Sequence, residues 1–300
     1  MKRLVVVYNP RSSKQALIRE QVLSELGGLR GYLVGKYEVK KASLEQNARD
    51  LAGILIDGDL VLATGGDGTV TMTLNAVIQS KKMVTLSGLA YGNFNDLGSI
   101  LGVPGGVKEV VRKYEADEIK SVYPLEVRID EKHWRYALGY VTVGMLAAST
   151  MVFEEPKVRE KLKTGKTGRF FSLWALKNWY FKHRCKQILP DFELNGQKMT
   201  GMTDYLAVNG PRVGGVMKGG DWYLEVGKFG GGTKRLRRLF GLLRFMFRSM
   251  TKGMPLSETE GDVLEFEEPA EVIIQGEGEF VRVRGQKIEV KKRGEVRMVG

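Results

Sequence analysis

The first 120 residues alternate between short apolar runs and amphipathic helical patterns, and this alternation restricts the fold more than any other feature of the chain. The β-branched or aliphatic runs at 4–8 and 59–63 are typical of strands that are buried on both faces. Residues 43–56 place five apolar side chains on one helical face, and Ser43 with Gln46 matches a capping box. Such alternation predicts a doubly wound, parallel α/β domain.

After residue 122 the pattern changes to short alternating strands joined by polar or glycine turns. Asn195-Gly196 is the dipeptide that most strongly predicts a tight β-hairpin. We therefore predict two domains. An α/β nucleotide-binding domain covers 1–122, to which the C-terminal tail can add, and a β-rich, sandwich-like domain with two helical stretches covers 123–300.

Composition excludes several classes of protein. The chain is 43% hydrophobic and 27% charged, as in ordinary globular proteins. Cys185 is the single cysteine, which excludes a disulfide framework and a cysteine-rich metal site. The N-terminal apolar run is too short for a signal-peptide core, and no apolar stretch reaches the length of a membrane span. We expect a cytoplasmic protein.

The charge of the chain is concentrated in its second half. Lys and Arg total 47 against 35 Asp and Glu, a net charge of +12, yet residues 1–120 hold 16 basic and 13 acidic residues. Residues 157–186 carry ten basic residues and one acidic residue among many aromatic ones, and 233–252 carry seven basic residues and no acidic one. Both segments predict basic amphipathic helices, either packed on the β-rich domain or lying on an anionic membrane. Without a recognised nucleic-acid motif, we expect a membrane surface and not nucleic acid as the partner.

The segment ATGGDGT, residues 63–69, lies where a predicted strand becomes a helix. Glycines there let the backbone approach a phosphate, and the first turn of the helix offers free N–H groups. Asp67 alone would repel a phosphate, but it suits a bound Mg²⁺ ion or a hydroxyl that must lose its proton. The alternative is an ordinary turn in which Asp67 caps the helix. The segment is neither a Walker A loop nor a GxGxxG site.

Two further polar loops, at 9–14 and 90–98, also follow predicted strands. Because the carboxyl ends of parallel strands share one edge of the sheet, the three loops are predicted to form one wall of a ligand site. The alternative is that each is a simple turn, since Asn-Pro starts turns and Asn95-Asp96 can cap a helix.

These three loops, in this order, resemble those of the diacylglycerol-kinase-type lipid kinases, a family that includes sphingosine kinases and bacterial lipid kinases. That family carries NPxSG-K, GGDGT and GTxND segments in an ATP-binding, NAD-kinase-like domain followed by a β-rich domain. The resemblance implies ATP- and Mg²⁺-dependent phosphorylation of a hydroxyl on a diacylglycerol, sphingoid or related lipid at a membrane surface. The residues that it assigns to the nucleotide cleft are Asn9, Ser12, Lys14, Gly65, Gly66, Asp67, Gly68, Thr69, Gly92, Asn95 and Asp96.

Several acidic residues of the family pattern are absent. Met72 stands where a glutamate commonly follows GGDGT, and Tyr123 stands where a carboxylate commonly enters the second domain. Gln275 replaces the aspartate of a late Asp-Gly-Glu segment, and an amide cannot act as a general base.

The resemblance also implies substitutes for these missing groups. Glu277 or Glu279 is expected to act as the base beside Asp67, and Asp221 is expected to join Asp67 at the metal. Two other functions remain open. The lost acidic residues also fit a catalytically weak nucleotide- or lipid-binding relative, and the GGDGT loop is shared with soluble NAD kinases.

Overall fold

The computed structural model describes residues 1–12, 14–91, 96–101, 106–154, 158, 189–214, 217–236, 239–277 and 279–300. Three sequence-based predictions fall outside these ranges: the roles of Gly92 and Asn95, and the basic helix at 157–186 apart from residue 158.

The first sheet has six strands, and its first strand in the chain lies between two parallel neighbours, as the alternating pattern predicts. Its strands, in spatial order, are β2 (Tyr32–Glu38), β1 (Lys2–Tyr8), β3 (Leu60–Gly65), β4 (Thr85–Ala90), β18 (Val296–Val299) and β5 (Ile119–Val122). Only β5 runs antiparallel to its neighbour. The C-terminal strand β18 pairs with β4 and β5, so the end of the chain returns to the N-terminal sheet.

Helices cover both faces of this sheet, so the predicted doubly wound architecture is confirmed. The helices are α1 (Gln15–Ile18), α2 (Leu44–Ala52), α3 (Asp67–Ser80), α4 (Gly98–Leu101) and α5 (Gly106–Glu115). A π-helical turn at Arg19–Leu23 and a 3₁₀ turn at Glu25–Gly28 extend α1. The predicted cap of α2 is present, because the Ser43 side chain accepts a hydrogen bond from the backbone N–H of Gln46 at 3.1 Å.

The second sheet is antiparallel and carries the β-rich part of the chain. Its strands are β6 (Leu125–Ile129), β7 (Lys132–Ala137), β8 (Tyr140–Gly144), β9 (Phe192–Leu194), β10 (Gln197–Met199), β11 (Asp204–Val208), β14 (Phe229–Lys234), β15 (Ser257–Thr259), β16 (Gly261–Gly276) and β17 (Glu279–Lys292). Asn195 and Gly196 both adopt positive φ angles and join β9 to β10 in the predicted hairpin.

The remaining elements pack on this second sheet. They are β12 (Arg212–Val213), β13 (Met217–Lys218), α6 (Met145–Ser149), α7 (Leu239–Thr251) and 3₁₀ turns at Thr150–Glu154 and Trp222–Leu224. The predicted helix over 233–252 was wrong at its start. Thr233 and Lys234 end β14, because their backbone pairs with Tyr205 and Asp204 of β11, and α7 begins only at Leu239. No helix in the described part of the chain is both long and apolar enough to cross a membrane.

Candidate active site

The carboxyl ends of β1, β3 and β4 lie side by side, and this brings the first two predicted loops and the start of the third to one edge of the sheet. Tyr91 extends the β3–β4 pairing, since its N–H donates to the carbonyl oxygen of Gly65 at 2.8 Å. The carbonyl of Gly66 accepts from the N–H groups of Thr69 and Val70 and starts α3. The sequence therefore predicted correctly that these strand ends adjoin, although β3 continues to Gly65, two residues past the predicted run at 59–63.

Internal crowding explains one of the three glycines, and at a second the close neighbour is a flexible, exposed side chain. A Cβ atom on Gly65 would lie 2.6 Å from the Thr69 hydroxyl, and one on Gly68 would lie 2.9 Å from Oε1 of Glu279. Gly66 has φ −85° and ψ −179°, angles that any residue can adopt. The fold thus restricts position 65, whereas at positions 66 and 68 the close approach of a phosphate remains a reason for glycine.

Asp67 joins the second loop to the third. Its Oδ2 accepts the backbone N–H of Asp96 at 3.1 Å, and its Oδ1 accepts that of Leu97 at 3.2 Å. Burial raises the pKa of Asp67, and these two hydrogen bonds oppose that rise. Asp96 is itself buried. The carboxylate therefore fixes the position of the third loop relative to the first turn of α3.

The first loop is folded on its own polar groups. The Asn9 side chain accepts the N–H of Arg11 at 2.9 Å, and the Ser12 hydroxyl accepts the N–H of Lys14 at 3.3 Å. These contacts are those of an Asn-Pro turn, the alternative that the sequence left open. A nucleotide role for Asn9, Ser12 and Lys14 stays a prediction.

Glu277 and Glu279, the two candidate bases, occupy very different environments. Glu277 is 1% exposed, and one of its oxygens accepts the Thr71 hydroxyl at 2.5 Å. The other oxygen accepts the backbone N–H groups of Leu138 and Gly139. Burial raises the pKa of Glu277 to about 7. Glu279 is exposed, and its carboxylate lies against Gly68 at the start of α3.

Tyr140 is a buried group of this region that sequence reasoning missed. Burial raises the pKa of its hydroxyl well above the usual value, and the charges of Asp96, Asp67 and Glu277 add to this rise. Gln275 Nε2 donates to the same hydroxyl at 3.5 Å. Tyr140 occupies an ordinary strand, so no local pattern marks it. The structure nevertheless places it close enough to three carboxylates for their charges to act on its hydroxyl.

Contacts between the two parts of the chain were also missed. Asn75 of α3 donates to the Tyr136 carbonyl at 2.9 Å and accepts the Tyr136 N–H at 3.0 Å. Arg135 Nη2 donates to Oε1 of Glu45 at 2.8 Å. One signal was available in the sequence: Asp67, Thr71 and Asn75 recur every four residues, which places three polar groups on one face of α3.

The other departures from the family pattern have structural roles. Met72 is 2% exposed in the core between α3 and the first sheet. The Tyr123 backbone donates to the Tyr223 carbonyl at 2.8 Å. Asp221 is exposed at the start of a 3₁₀ turn. Within the described ranges no group of three or more His, Cys, Asp or Glu side chains is arranged to hold a metal, so the shared metal role of Asp67 and Asp221 stays a prediction.

Comparison with known proteins shows which proteins this chain is similar to. Residues 3–127 match the family model described as "Diacylglycerol kinase catalytic domain". The chain is similar to bacterial diacylglycerol kinases over this segment. A diacylglycerol kinase of Bacillus subtilis is 28% identical over 166 residues, which cover 55% of this chain and 51% of the relative. One from Staphylococcus aureus strain JH9 is 27% identical over 168 residues, covering 54% and 49%.

The matched segment thus spans about half the length of these curated relatives. A crystal structure titled a putative diacylglycerol kinase from Bacillus anthracis str. Sterne superposes with a TM-score of 0.66. It covers 99% of this chain and 96% of that one at 17% identity. At that identity the superposition establishes the shared two-part fold. The resemblance that the three loops indicated is confirmed.

Proposed function

We propose that this protein is an ATP- and Mg²⁺-dependent lipid kinase that transfers the γ-phosphoryl group to a hydroxyl of diacylglycerol, a sphingoid base or a related lipid. One observation carries the proposal. The Asp67 carboxylate connects the first turn of α3 to the third loop through two hydrogen bonds. The exposed Glu279 carboxylate lies beside Gly68, the next residue of the same turn. The proposed nucleotide site and the candidate base would thus adjoin at one edge of the sheet.

The nucleotide phosphates fit the N-terminus of α3. The first N–H groups of a helix have no partner within the helix, and the aligned peptide dipoles of this 14-residue helix favour an anion at that end. Lys14 in the neighbouring first loop supplies a cation for the same phosphates. Gly66 lies at the start of the turn, where a side chain would hinder close approach.

Mg²⁺ fits this edge as an ion bound mainly through the nucleotide. Magnesium sites in kinases commonly use one or two carboxylates together with phosphate oxygens and water. Each oxygen of Asp67 accepts a single described N–H group and so keeps a lone pair for such an ion. When bound, the ion would neutralise charge that develops on the transferred phosphoryl group. Asp67 and the third loop would keep the phosphates aligned.

Glu279 is the better candidate for the base that accepts the lipid proton. A general base must come within hydrogen-bonding distance of the hydroxyl that it deprotonates. Glu279 is exposed beside Gly68, whereas Glu277 is almost completely buried and out of reach of a lipid hydroxyl. The lipid hydroxyl would therefore approach from the Glu279 side of α3.

The α7 surface supports docking on an anionic membrane. Phe247 is 71% exposed and Met250 is 45% exposed, and the exposed Arg244 and Arg248 flank Phe247 on the same helix. Burial lowers the pKa of the nearby Lys234, and the charge of Arg248 adds to this shift. Cations and exposed apolar groups therefore gather on one surface, as in helices that bind bilayers peripherally.

Activity on lipids tests the proposal directly. Purified protein is incubated with Mg²⁺, radiolabelled ATP and vesicles that contain diacylglycerol or sphingosine. We expect label in the lipid fraction, and Asp67→Asn should reduce it on the order of 100-fold. Asp117→Asn is the matched control, because its side chain is 85% exposed on the surface.

Two other outcomes would replace the proposal. ATP binding without transfer to any lipid would favour the second candidate, a nucleotide-binding relative with little catalysis. The buried amide of Gln275, which donates to the Tyr140 hydroxyl where the family has a carboxylate, supports this candidate. Transfer of label to NAD would favour a soluble NAD-kinase-like enzyme.

Vesicle sedimentation tests the membrane surface separately. Phe247→Ala and Arg248→Ala should each reduce binding to phosphatidylserine vesicles, by a few-fold to tenfold for the lost cation. Met83→Ala is the control, because Met83 is 70% exposed on the other domain. Equal losses for all three variants would contradict docking through α7.

A further inference from the structure

The Glu277 carboxylate joins three separate elements. Thr71 belongs to α3, Leu138 and Gly139 form the turn between β7 and β8, and Glu277 itself lies in the turn between β16 and β17. One oxygen accepts the hydroxyl and the other accepts both backbone N–H groups. This is the arrangement that an ionised carboxylate satisfies best, because it is a pure acceptor.

The backbone at Glu277 is held in an uncommon conformation. Its φ angle is +54°, in the left-handed region that non-glycine residues rarely adopt. Such a conformation persists where surrounding contacts over-determine it, and it is common at functional sites. Here the three hydrogen bonds to the side chain supply those contacts.

The hydrogen bonds of each Glu277 oxygen connect to Asp67 through further contacts. On one side, Thr71 lies one helical turn after Asp67 on α3. On the other side, Gly139 packs on Leu97, since a Cβ atom at position 139 would lie 3.2 Å from Leu97 Cδ2. Leu97 in turn donates its N–H to Asp67. The contacts therefore form a closed loop through Asp67, Thr71, Glu277, Gly139 and Leu97.

We propose that Glu277 is a positioning residue: it clamps the β7–β8 turn against α3 and so fixes the third loop around Asp67. The proposal rests on the proposed kinase function and refines it, since it removes Glu277 from the candidate bases. A base at this position would need a free oxygen and access to the lipid hydroxyl. Both oxygens of Glu277 are engaged, and the residue is almost completely buried.

Variants at both ends of the Thr71–Glu277 hydrogen bond distinguish a clamp from a base. Thr71→Val removes the hydroxyl, Thr71→Ser retains it, and Glu277→Gln replaces one acceptor oxygen with a donor that opposes the turn. Glu271→Gln is the matched control on β16, the strand that leads to Glu277, and its side chain is 60% exposed. The kcat and KM for lipid, the Kd for Mg²⁺-ATP by calorimetry and the thermal midpoint are measured for each variant.

A clamp predicts shared effects. Thr71→Val should lower kcat by about tenfold and Glu277→Gln by about 100-fold, the range expected when reacting groups move by about 1 Å. Both should weaken Mg²⁺-ATP binding, the double variant should be no worse than Glu277→Gln by more than about twofold, and Thr71→Ser should restore function.

A base predicts the opposite pattern and would overturn the proposal. Glu277→Gln would then abolish turnover, while Thr71→Val would keep the wild-type kcat and neither change would alter ATP affinity. If Glu277→Gln fails to fold, the contrast between Thr71→Val and Thr71→Ser still decides. If the wild-type protein transfers nothing to lipid, the kinase proposal fails, whereas the ATP affinities of the same variants still support or refute the clamp.

Discussion

The replacement of Gly68 by alanine separates the placement of Glu279 from the folding of α3. A Cβ atom at position 68 would lie 2.9 Å from Oε1 of Glu279, whereas ordinary contacts begin at about 3.4 Å. The carboxylate is the flexible end of an exposed side chain, so it can move by about 0.5–1 Å without unfolding anything. Alanine in the first turn of a helix also improves helix propensity, by up to about 0.5–1 kcal/mol.

We therefore expect Gly68→Ala to have an unchanged or slightly higher thermal midpoint and a kcat that is about 10- to 100-fold lower. The assay compares kcat, the Kd for Mg²⁺-ATP and thermal unfolding for Gly68→Ala, Glu279→Gln and the double variant. If Glu279 is the group displaced, the double variant should match Glu279→Gln alone. A large loss of ATP affinity with kcat unchanged would refute this reasoning, because it would mean that Gly68 is required for the approach of phosphate.

Three further predictions concern buried polar groups. Asn75→Ala removes two hydrogen bonds to Tyr136 and should lower the free energy of unfolding in urea by about 1–3 kcal/mol. Ser43→Ala removes only the exposed cap of α2 and should lower the same free energy by about 1 kcal/mol. Burial raises the pKa values of Glu277 and Asp204 to about 7. The protonated forms of these two carboxyls therefore stabilise the folded state fully below about pH 4, and this stabilisation is lost as the pH rises through 7. Unfolding free energies at pH 5 to 8 should fall more steeply for the wild type than for Asp204→Asn, although burial lowers the pKa of His133 and opposes part of this trend in both proteins. Gln275→Asp adds a carboxylate beside Tyr140, and it should destabilise the protein by about 3 kcal/mol at pH 8 and less at pH 5, with Gln275→Asn as the size-matched control. A higher kcat without that instability would show that Gln275 is what limits catalysis.

The sequence predicted the strand ends better than the contacts that they support. The apolar runs and the Ser43 cap act over a few residues, so periodicity and capping chemistry locate β1, β3 and α2. The pairing of β18 with β4 joins residues more than 200 positions apart. Local patterns do not encode such pairing, although the two-domain prediction allowed the tail to contribute.

Local patterns failed for a similar reason at the start of α7. The residues TKR have no feature that excludes a helix, and only the partner strand β11 draws Thr233 and Lys234 into the sheet. The two glutamates after Gly276 show the same limitation within the site. They are two positions apart in the chain, yet the β16–β17 turn buries Glu277 and exposes Glu279.

The face of α3 that carries Asp67, Thr71 and Asn75 connects the nucleotide edge to the β-rich domain. Successive helical turns place one polar group against the third loop, one against Glu277 and one against the β7 backbone. An i, i+4, i+8 spacing gives these contacts a common rigid support, since side chains four residues apart point in nearly the same direction. We therefore expect a displacement of the β-rich domain, whose helix α7 is proposed to dock on the membrane, to move Asp67 through α3. A hydroxyl at position 71 suits this arrangement, because it donates to Glu277 where a carboxylate would repel it.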